Sequence, residues 1–137
     1  MTGEQARRRF IEARVAHMAT ADEAGRPHLI PIVFALEGDG LVSAVDHKPK
    51  RRAELRRLAN IADNPRVTVL VDEYDEDWDR LWWARADGVA TLLEPGSVSS
   101  EHALDLLVAR YRQYEGRRPT GPVVLVEVSR WSGWSAC

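Results

Sequence analysis

The spacing of hydrophobic positions divides the chain into segments of two periodicities. Apolar residues recur three and four positions apart in three segments, which predicts helices of about three turns after Thr2, at 49–62 and at 99–114. Apolar or β-branched runs predict six strands, at 15–20, 28–36, 41–45, 67–71, 81–93 and 123–128. Tight turns join most consecutive strands, which favours an antiparallel sheet. We therefore expect a mainly β fold with flanking helices and a sheet that closes on itself.

Local signals mark the ends of these elements. Thr2 and Gln5 have the spacing of a capping box at the start of the first helix. Residues 37–40 (Glu-Gly-Asp-Gly) predict a hairpin turn, and Asn64-Pro65 ends the second helix. Pro31 lacks the N–H that a strand needs for its ladder. We therefore expect the strand that contains it to lie at a sheet edge or to carry a bulge.

The composition indicates one soluble domain. The 137 residues, 45% hydrophobic and 29% charged, are enough for a single domain, 1–137, with its own core. The net charge of −2 argues against a general nucleic-acid binder. No apolar run is long enough to cross a bilayer, and the charged N-terminus does not resemble a signal peptide. We expect a cytoplasmic protein without nucleic-acid or membrane partners.

The stretch Asp46–Arg57, the basic segment, is the first candidate site. It carries six Lys or Arg residues against two acids, within a chain that is net acidic. Cations near a helix N-terminus are normally disfavoured, but the same position binds phosphate well. The segment follows a strand and begins a helix, which favours an anion site. The alternative is a solvated basic face that pairs with Asp72–Asp79, the acidic loop, where six of eight residues are acidic.

A second candidate is the strand that contains Trp82 and Trp83. Neighbouring residues of a strand point to opposite faces, so at least one of the two indoles needs a special partner, either a dimer interface or a ring. Arg85 shares a face with Trp83 by the two-residue period. This arginine is placed either to reach a cofactor or to pair with a carboxylate. The tryptophans either form an aromatic binding surface or pack in the core or at an interface.

Other kinds of site find no support in the sequence. The four histidines lack the spacing of metal ligands and Cys137 is the single cysteine, so we expect no metal site. There is no P-loop, dinucleotide fingerprint or nucleophile elbow. No catalytic residue is identified. Such a chain is still able to act as an enzyme when a cofactor brings the reactivity.

The order of elements and two long strings resemble a known family. The string VDHKPKRRAELRRLANIADNPRV (45–67) and the string LVDEYDEDWDRLWWARADG (70–88) resemble the pyridoxamine-5′-phosphate-oxidase-like split barrels. They are similar above all to the actinobacterial branch assigned to coenzyme F420. The resemblance covers nearly the whole chain. It implies an FMN-binding-like, antiparallel split β-barrel and a homodimer with two equivalent cofactor sites in clefts between the subunits.

The resemblance also implies which residues contact the cofactor. In FMN members a Ser-Arg-Lys segment eight residues before the proline of an Asn-Pro holds the phosphate, which here corresponds to Arg57, with Arg56 beside it and Leu55 at the hydroxyl position. The strand from Pro31 to Phe34 would line the flat ring through its backbone. The full set implied is Pro31, Ile32, Val33, Lys48, Lys50, Arg56, Arg57, Trp83 and Arg85.

The activity implied by the resemblance is an F420-dependent reduction of an unidentified small molecule. Arg57 in place of the lysine, and Leu55 in place of the hydroxyl residue, depart from the family pattern. The further cations at Lys48 and Lys50 would substitute for them, which also suits the long anionic tail of F420. The oxidases' C-terminal substrate-binding arginine motif is not recognisable at 129–132, which argues against oxidation of pyridoxamine phosphate. The alternatives are an FMN-dependent oxidoreductase on the same fold, or a non-catalytic carrier of F420, flavin or haem.

Overall fold

The computed structural model describes residues 1–45 and 52–137, with side chains described from residue 56 onward in the second range. Within these ranges the helices are α1 (Gly3–Glu12), α2 (Arg52–Asp63) and α3 (Val98–Arg110). The strands are β1 (Ala16–Ala21), β2 (Pro27–Ile32), β3 (Ala35–Glu37), β4 (Gly40–Ala44), β5 (Arg66–Glu73), β6 (Trp82–Leu93) and β7 (Val123–Ser135). Single-turn 3₁₀ helices lie at Trp78–Arg80 and Arg112–Tyr114.

The strands form a mainly β, antiparallel fold, as the turns predicted. Seven strands pair in the order β2-β1-β5-β6-β7-β4-β3. Each neighbouring pair is antiparallel, and the longest ladder joins β6 to β7. β2 lies at one edge, which is where the missing N–H of Pro31 is tolerated, so the prediction for this proline is confirmed.

The expected closure of the sheet is wrong for the described part of the chain. β2 and β3 are the two edges of an open sheet, although they follow one another in sequence. The run 28–36, predicted as one strand, divides between them. At the division the Phe34 N–H donates to the Tyr111 hydroxyl at 3.1 Å, and Arg110 donates to the Phe34 carbonyl oxygen at 2.8 Å. Side chains around the end of α3 thus replace the neighbouring strand as hydrogen-bond partners at this point.

One side of the sheet carries the main core. Alternate residues of the strands point inward, among them Met18, Val69 and Val126, all with no exposed surface. The capping box at Thr2 is confirmed, and α1 packs Phe10 into this core. The Phe10 ring meets Phe34 and Trp131 edge to face, with centroids 5.8 and 5.2 Å apart.

The opposite side of the sheet, the outer face, is partly exposed to solvent. Cross-strand pairing aligns its residues in rows, because partners in an antiparallel ladder point to the same side. The outer face comprises His17, Ala19, Leu29, Pro31, Thr68, Leu70, Asp72, Trp83, Arg85, Asp87, Arg130, Ser132 and Trp134.

Two of the predicted ends differ from the structure by about a helical turn or more. β7 runs to Ser135, beyond the predicted end at Val128, because a bulge at Asp87/Gly88 lets it continue along β6. The third helix stops at Arg110 rather than at 114, and Tyr111 turns inward instead. No helix in the described ranges is both long and apolar enough to span a membrane.

Replacing Tyr111 by phenylalanine is expected to lower the free energy of unfolding by about 2 kcal/mol. The hydroxyl accepts from the Phe34 N–H and lies 2.9 Å from the carbonyl oxygens of Phe34 and Arg14. Its loss leaves a buried N–H without an acceptor. Urea denaturation measures the change, with Tyr74→Phe on the exposed loop as the matched control. Equal stability of the two variants would contradict this role.

Candidate functional site

The outer face carries a pre-oriented group of side chains on β6. Trp83, Arg85 and Asp87 alternate along the strand and so share one side. The Arg85 guanidinium carbon lies 5.5 Å from the Trp83 ring centroid, and Arg85 Nε donates to Asp87 Oδ2 at 3.2 Å. Thr68 Oγ1 donates to the other oxygen, Asp87 Oδ1, at 2.8 Å. Asp87 therefore holds the arginine beside the indole, and all three side chains remain partly exposed.

β7 adds two groups that sequence reasoning missed. Ser132 pairs with Arg85 and Trp134 pairs with Trp83 across the ladder. The Ser132 hydroxyl oxygen is buried and has no hydrogen-bond partner among the residues that the structure describes. Trp134 is 47% exposed. The two-residue period could have identified Asp87, but the position of Ser132 depends on the register of β7, which the sequence does not show.

A cavity of about 460 Å³ adjoins this group on the same side of the sheet. Thr68 and Asp87 line it together with Ala19, Arg66 and Ser129. The bulge shapes it, since Ser129 Oγ donates to the Asp87 carbonyl oxygen at 3.1 Å. The β6 cluster therefore borders a depression large enough for part of a small molecule.

The three residues predicted to line the ring, Pro31, Ile32 and Val33, do not face one common surface in the structure. Pro31 lies on the outer face, in one row with His17, Leu70 and Arg85. Three strand spacings separate it from Arg85, which is about 14 Å. Ile32 points into the core with 5% of its surface exposed. Val33 is half-buried beyond the end of β2, and its carbonyl oxygen accepts from Ser43 Oγ at 2.9 Å.

The two arginines predicted to bind the phosphate differ in how far they are exposed. Arg56 is exposed on α2, whereas Arg57 is 4% exposed. Arg57 shares a helix face with Asn60 and Ile61, and Asn60 Nδ2 donates to the buried Thr20 Oγ1 at 3.0 Å. α2 therefore packs on the inner side of the sheet. Lys48 and Lys50 lie outside the described residues.

The sheet thus separates the predicted site into two halves. Arg57 belongs to the core side, while Trp83 and Arg85 belong to the outer face. A hydrogen-bonded sheet lies between them, so the two halves line different surfaces of one chain.

Elsewhere in the described ranges, burial lowers the pKa of Arg110, whose guanidinium donates to the Phe34 carbonyl oxygen between β2 and β3. No group of three or more potential metal ligands occurs in those ranges.

Solved structures share this fold at low sequence identity. A FAD-binding protein of Mesorhizobium loti is 19% identical with a TM-score of 0.73, over 97% of this chain and 94% of that chain. The haem storage protein of Vibrio cholerae is 18% identical with a TM-score of 0.74, over 98% and 95%. A candidate 5-nitroimidazole antibiotic resistance protein of Bacteroides thetaiotaomicron is 18% identical with a TM-score of 0.73, over 95% and 81%. Such identities establish the fold and leave the ligand open.

A family model covers almost the entire chain. The model, described as pyridoxamine 5′-phosphate oxidase, matches residues 2–135. This match confirms, at the level of the family, the resemblance that the two sequence strings indicated. The chain belongs to the pyridoxamine 5′-phosphate oxidase family.

Proposed function

We propose that the protein is a homodimeric oxidoreductase that binds the deazaflavin cofactor F420 and reduces a small electrophile. FMN is the alternative cofactor on the same fold. The observation that carries the proposal is the partly exposed pair of Trp83 and Arg85 on the outer face. The guanidinium carbon of Arg85 lies 5.5 Å from the centroid of the Trp83 ring. An indole beside a guanidinium provides both a stacking surface and a fixed positive charge for a flat, electron-accepting ring.

The donor groups of the outer face fit such a ring. Flavins and deazaflavins carry ring carbonyl oxygens that accept hydrogen bonds. The buried Ser132 hydroxyl lacks a partner in the described part of the chain, and the neighbouring Arg85 has further N–H groups beyond the one that contacts Asp87. A cation at this position stabilises negative charge on a reduced ring. The bound cofactor supplies the hydride, and the protein contributes binding, orientation and a dry surface.

The basic segment is proposed to hold the anionic end of the cofactor. Guanidinium groups bind phosphate through two parallel N–H donors. Arg56 and Arg57, on α2, are the two arginines of the segment whose side chains the structure describes. With Lys48 and Lys50 the segment offers more cations than one phosphate needs. This surplus supports F420, whose tail is longer and more anionic than that of FMN.

A complete site requires two copies of the chain. Arg57 lies on the core side of the sheet, and Trp83 and Arg85 lie on the outer face. One cofactor that contacts both sets is therefore proposed to lie between subunits, with the ring-facing residues of one copy and the phosphate-binding residues of the other. The open outer face, where Leu29 is 64% exposed, supports burial against a second subunit.

Separate titrations with F420, FMN and haemin test the cofactor. We expect F420 to bind with saturable fluorescence change, and the reduced form to be oxidised by members of a panel of small electrophiles such as enones and nitroarenes. Yellow, flavin-fluorescent protein on purification would indicate FMN instead. Haemin binding alone, or F420 binding without turnover across the panel, would contradict the proposed activity and favour a carrier.

A further inference from the structure

The cavity on the outer face has an apolar floor. The small side chains of Ala19, Ala21 and Pro27 on β1 and β2 line one part of it, and Val89 on β6 lines another. Val89 is 47% exposed, so its methyl groups are open to a ligand. The volume of about 460 Å³ lies within the usual range of small-molecule pockets, about 300–1,000 Å³. The cavity therefore has room for the apolar body of a small molecule.

Arg66 supplies the exposed side-chain donors of the cavity wall. The hydroxyl groups of Thr68 and Ser129 both donate to Asp87, at 2.8 and 3.1 Å, so their hydrogens are already used. The backbone N–H of Arg66 donates to Asn64 Oδ1 at 3.3 Å, which holds the residue at the start of β5. Its guanidinium forms no hydrogen bond or ion pair with any residue that the structure describes. The donors of Arg66 are thus available to a ligand.

The charge that the paired strands place around the cavity is positive. Arg85 donates to Asp87 Oδ2 at 3.2 Å, so this carboxylate is already compensated. Arg130 lies opposite Asp87 on β7, is exposed, and forms no ion pair within the described part of the chain. Glu127 stands in one cross-strand row with Arg66, two strand spacings or about 10 Å away, and does not line the cavity. An anionic ligand is therefore the electrostatic complement of the cavity.

We propose that the cavity binds a small molecule with a carboxylate on an apolar body, and that Arg66 pairs with the carboxylate. A guanidinium binds a carboxylate through two parallel N–H donors, and the apolar floor removes the rest of the molecule from water. Asp87 on the cavity wall is two residues from Arg85 along β6, which is about 7 Å. The bound molecule thus lies beside the position proposed for the cofactor ring.

The proximity to Arg85 makes the bound acid a substrate. This step rests on the proposed function, whereas the binding of a carboxylate at Arg66 does not. The substrate class is then a small unsaturated carboxylic acid. Its reduction adds a hydride from the reduced cofactor to one carbon of the double bond and a proton from water to the other, which leaves the saturated acid and the oxidised cofactor.

Calorimetric titration of cofactor-free protein with trans-cinnamate, and with its uncharged amide, tests the site. We expect saturable binding of cinnamate that Arg66→Gln weakens about tenfold, as for the loss of one charge-assisted contact. Cinnamamide should bind more weakly and equally to both proteins. Ala19→Leu, which fills the apolar floor, should weaken the binding of both probes. Arg112→Gln removes an exposed arginine that does not line the cavity, so it should change neither affinity.

The outcomes separate this inference from the proposed function. Absence of cinnamate binding, or cinnamate binding that responds to Arg66→Gln no more than to Arg112→Gln, would overturn the carboxylate site. Binding of F420 and reduction of neutral enones in that case would leave the proposed function standing. Arg66-dependent cinnamate binding in a protein that binds neither F420 nor FMN would support the site and contradict the proposed function. In F420-loaded protein, Arg66→Gln should raise the KM for cinnamate about tenfold and leave the affinity for F420 unchanged.

Discussion

Replacing Arg57 by alanine is expected to weaken F420 binding about tenfold to a hundredfold. Removing one charge-assisted contact to phosphate costs about 1.5–3 kcal/mol, and each 1.4 kcal/mol is a factor of ten. The effect should exceed that of a surface contact, because Arg57 is 4% exposed and a buried charge is weakly screened. Fluorescence titration with F420, repeated with FMN, measures the loss of affinity for each cofactor.

Arg56→Ala is the matched control for this experiment. Arg56 is the neighbouring arginine and is exposed, so its removal should weaken binding several-fold less. Arg57→Lys should restore part of the affinity, since it keeps the charge and loses the second donor. Urea denaturation of each variant identifies any loss caused by unfolding. Unchanged F420 affinity in the Arg56→Ala/Arg57→Ala double variant would disprove the phosphate assignment.

Gly88→Ala is expected to destabilise the protein by about 3 kcal/mol. A Cβ at this position would lie 2.3 Å from the Glu127 carbonyl oxygen and 3.0 Å from Val126 Cγ1. The obstructing atom is backbone of β7, so relief requires a shift of the longest ladder in the sheet. The bulge at Asp87/Gly88 and the adjoining cavity would shift with it. Chemical denaturation gives the stability change directly.

Gly25→Ala separates steric from conformational effects at glycine. Gly25 has a φ of +81°, and an added Cβ there would meet nothing within 4 Å. This control should cost only about 1 kcal/mol, from the left-handed backbone that alanine adopts poorly. A loss at Gly88 no larger than at Gly25 would show that β7 moves aside easily.

The elements themselves were predictable because they depend on local signals. The capping box at Thr2 satisfies helix N–H groups from within four residues, and Pro31 excludes its strand from the sheet interior by lacking a donor. The pairing of Trp83 with Arg85 follows from the two-residue period of a strand. These features need no information from distant parts of the chain, and each agrees with the structure.

The errors arose where distant residues compete for the same backbone groups. The run 28–36 has continuous strand character, yet it divides because Tyr111 and Arg110, more than 70 positions away, bond to Phe34. The same contacts leave β2 and β3 as separate edges. The orphaned hydroxyl of Ser132 likewise depends on a register between β6 and β7 that a bulge resets.

The sequence by itself determined the family, the mainly β class and the charge asymmetry between the basic segment and the acidic loop, since each is written in local pattern and composition. Only the tertiary structure decided that Arg57 and the pair Trp83–Arg85 lie on opposite sides of one sheet. The physical reason is that side-chain direction follows from packing and strand register, which bring together residues far apart in sequence. That separation is what makes a two-copy cofactor site the proposal to test.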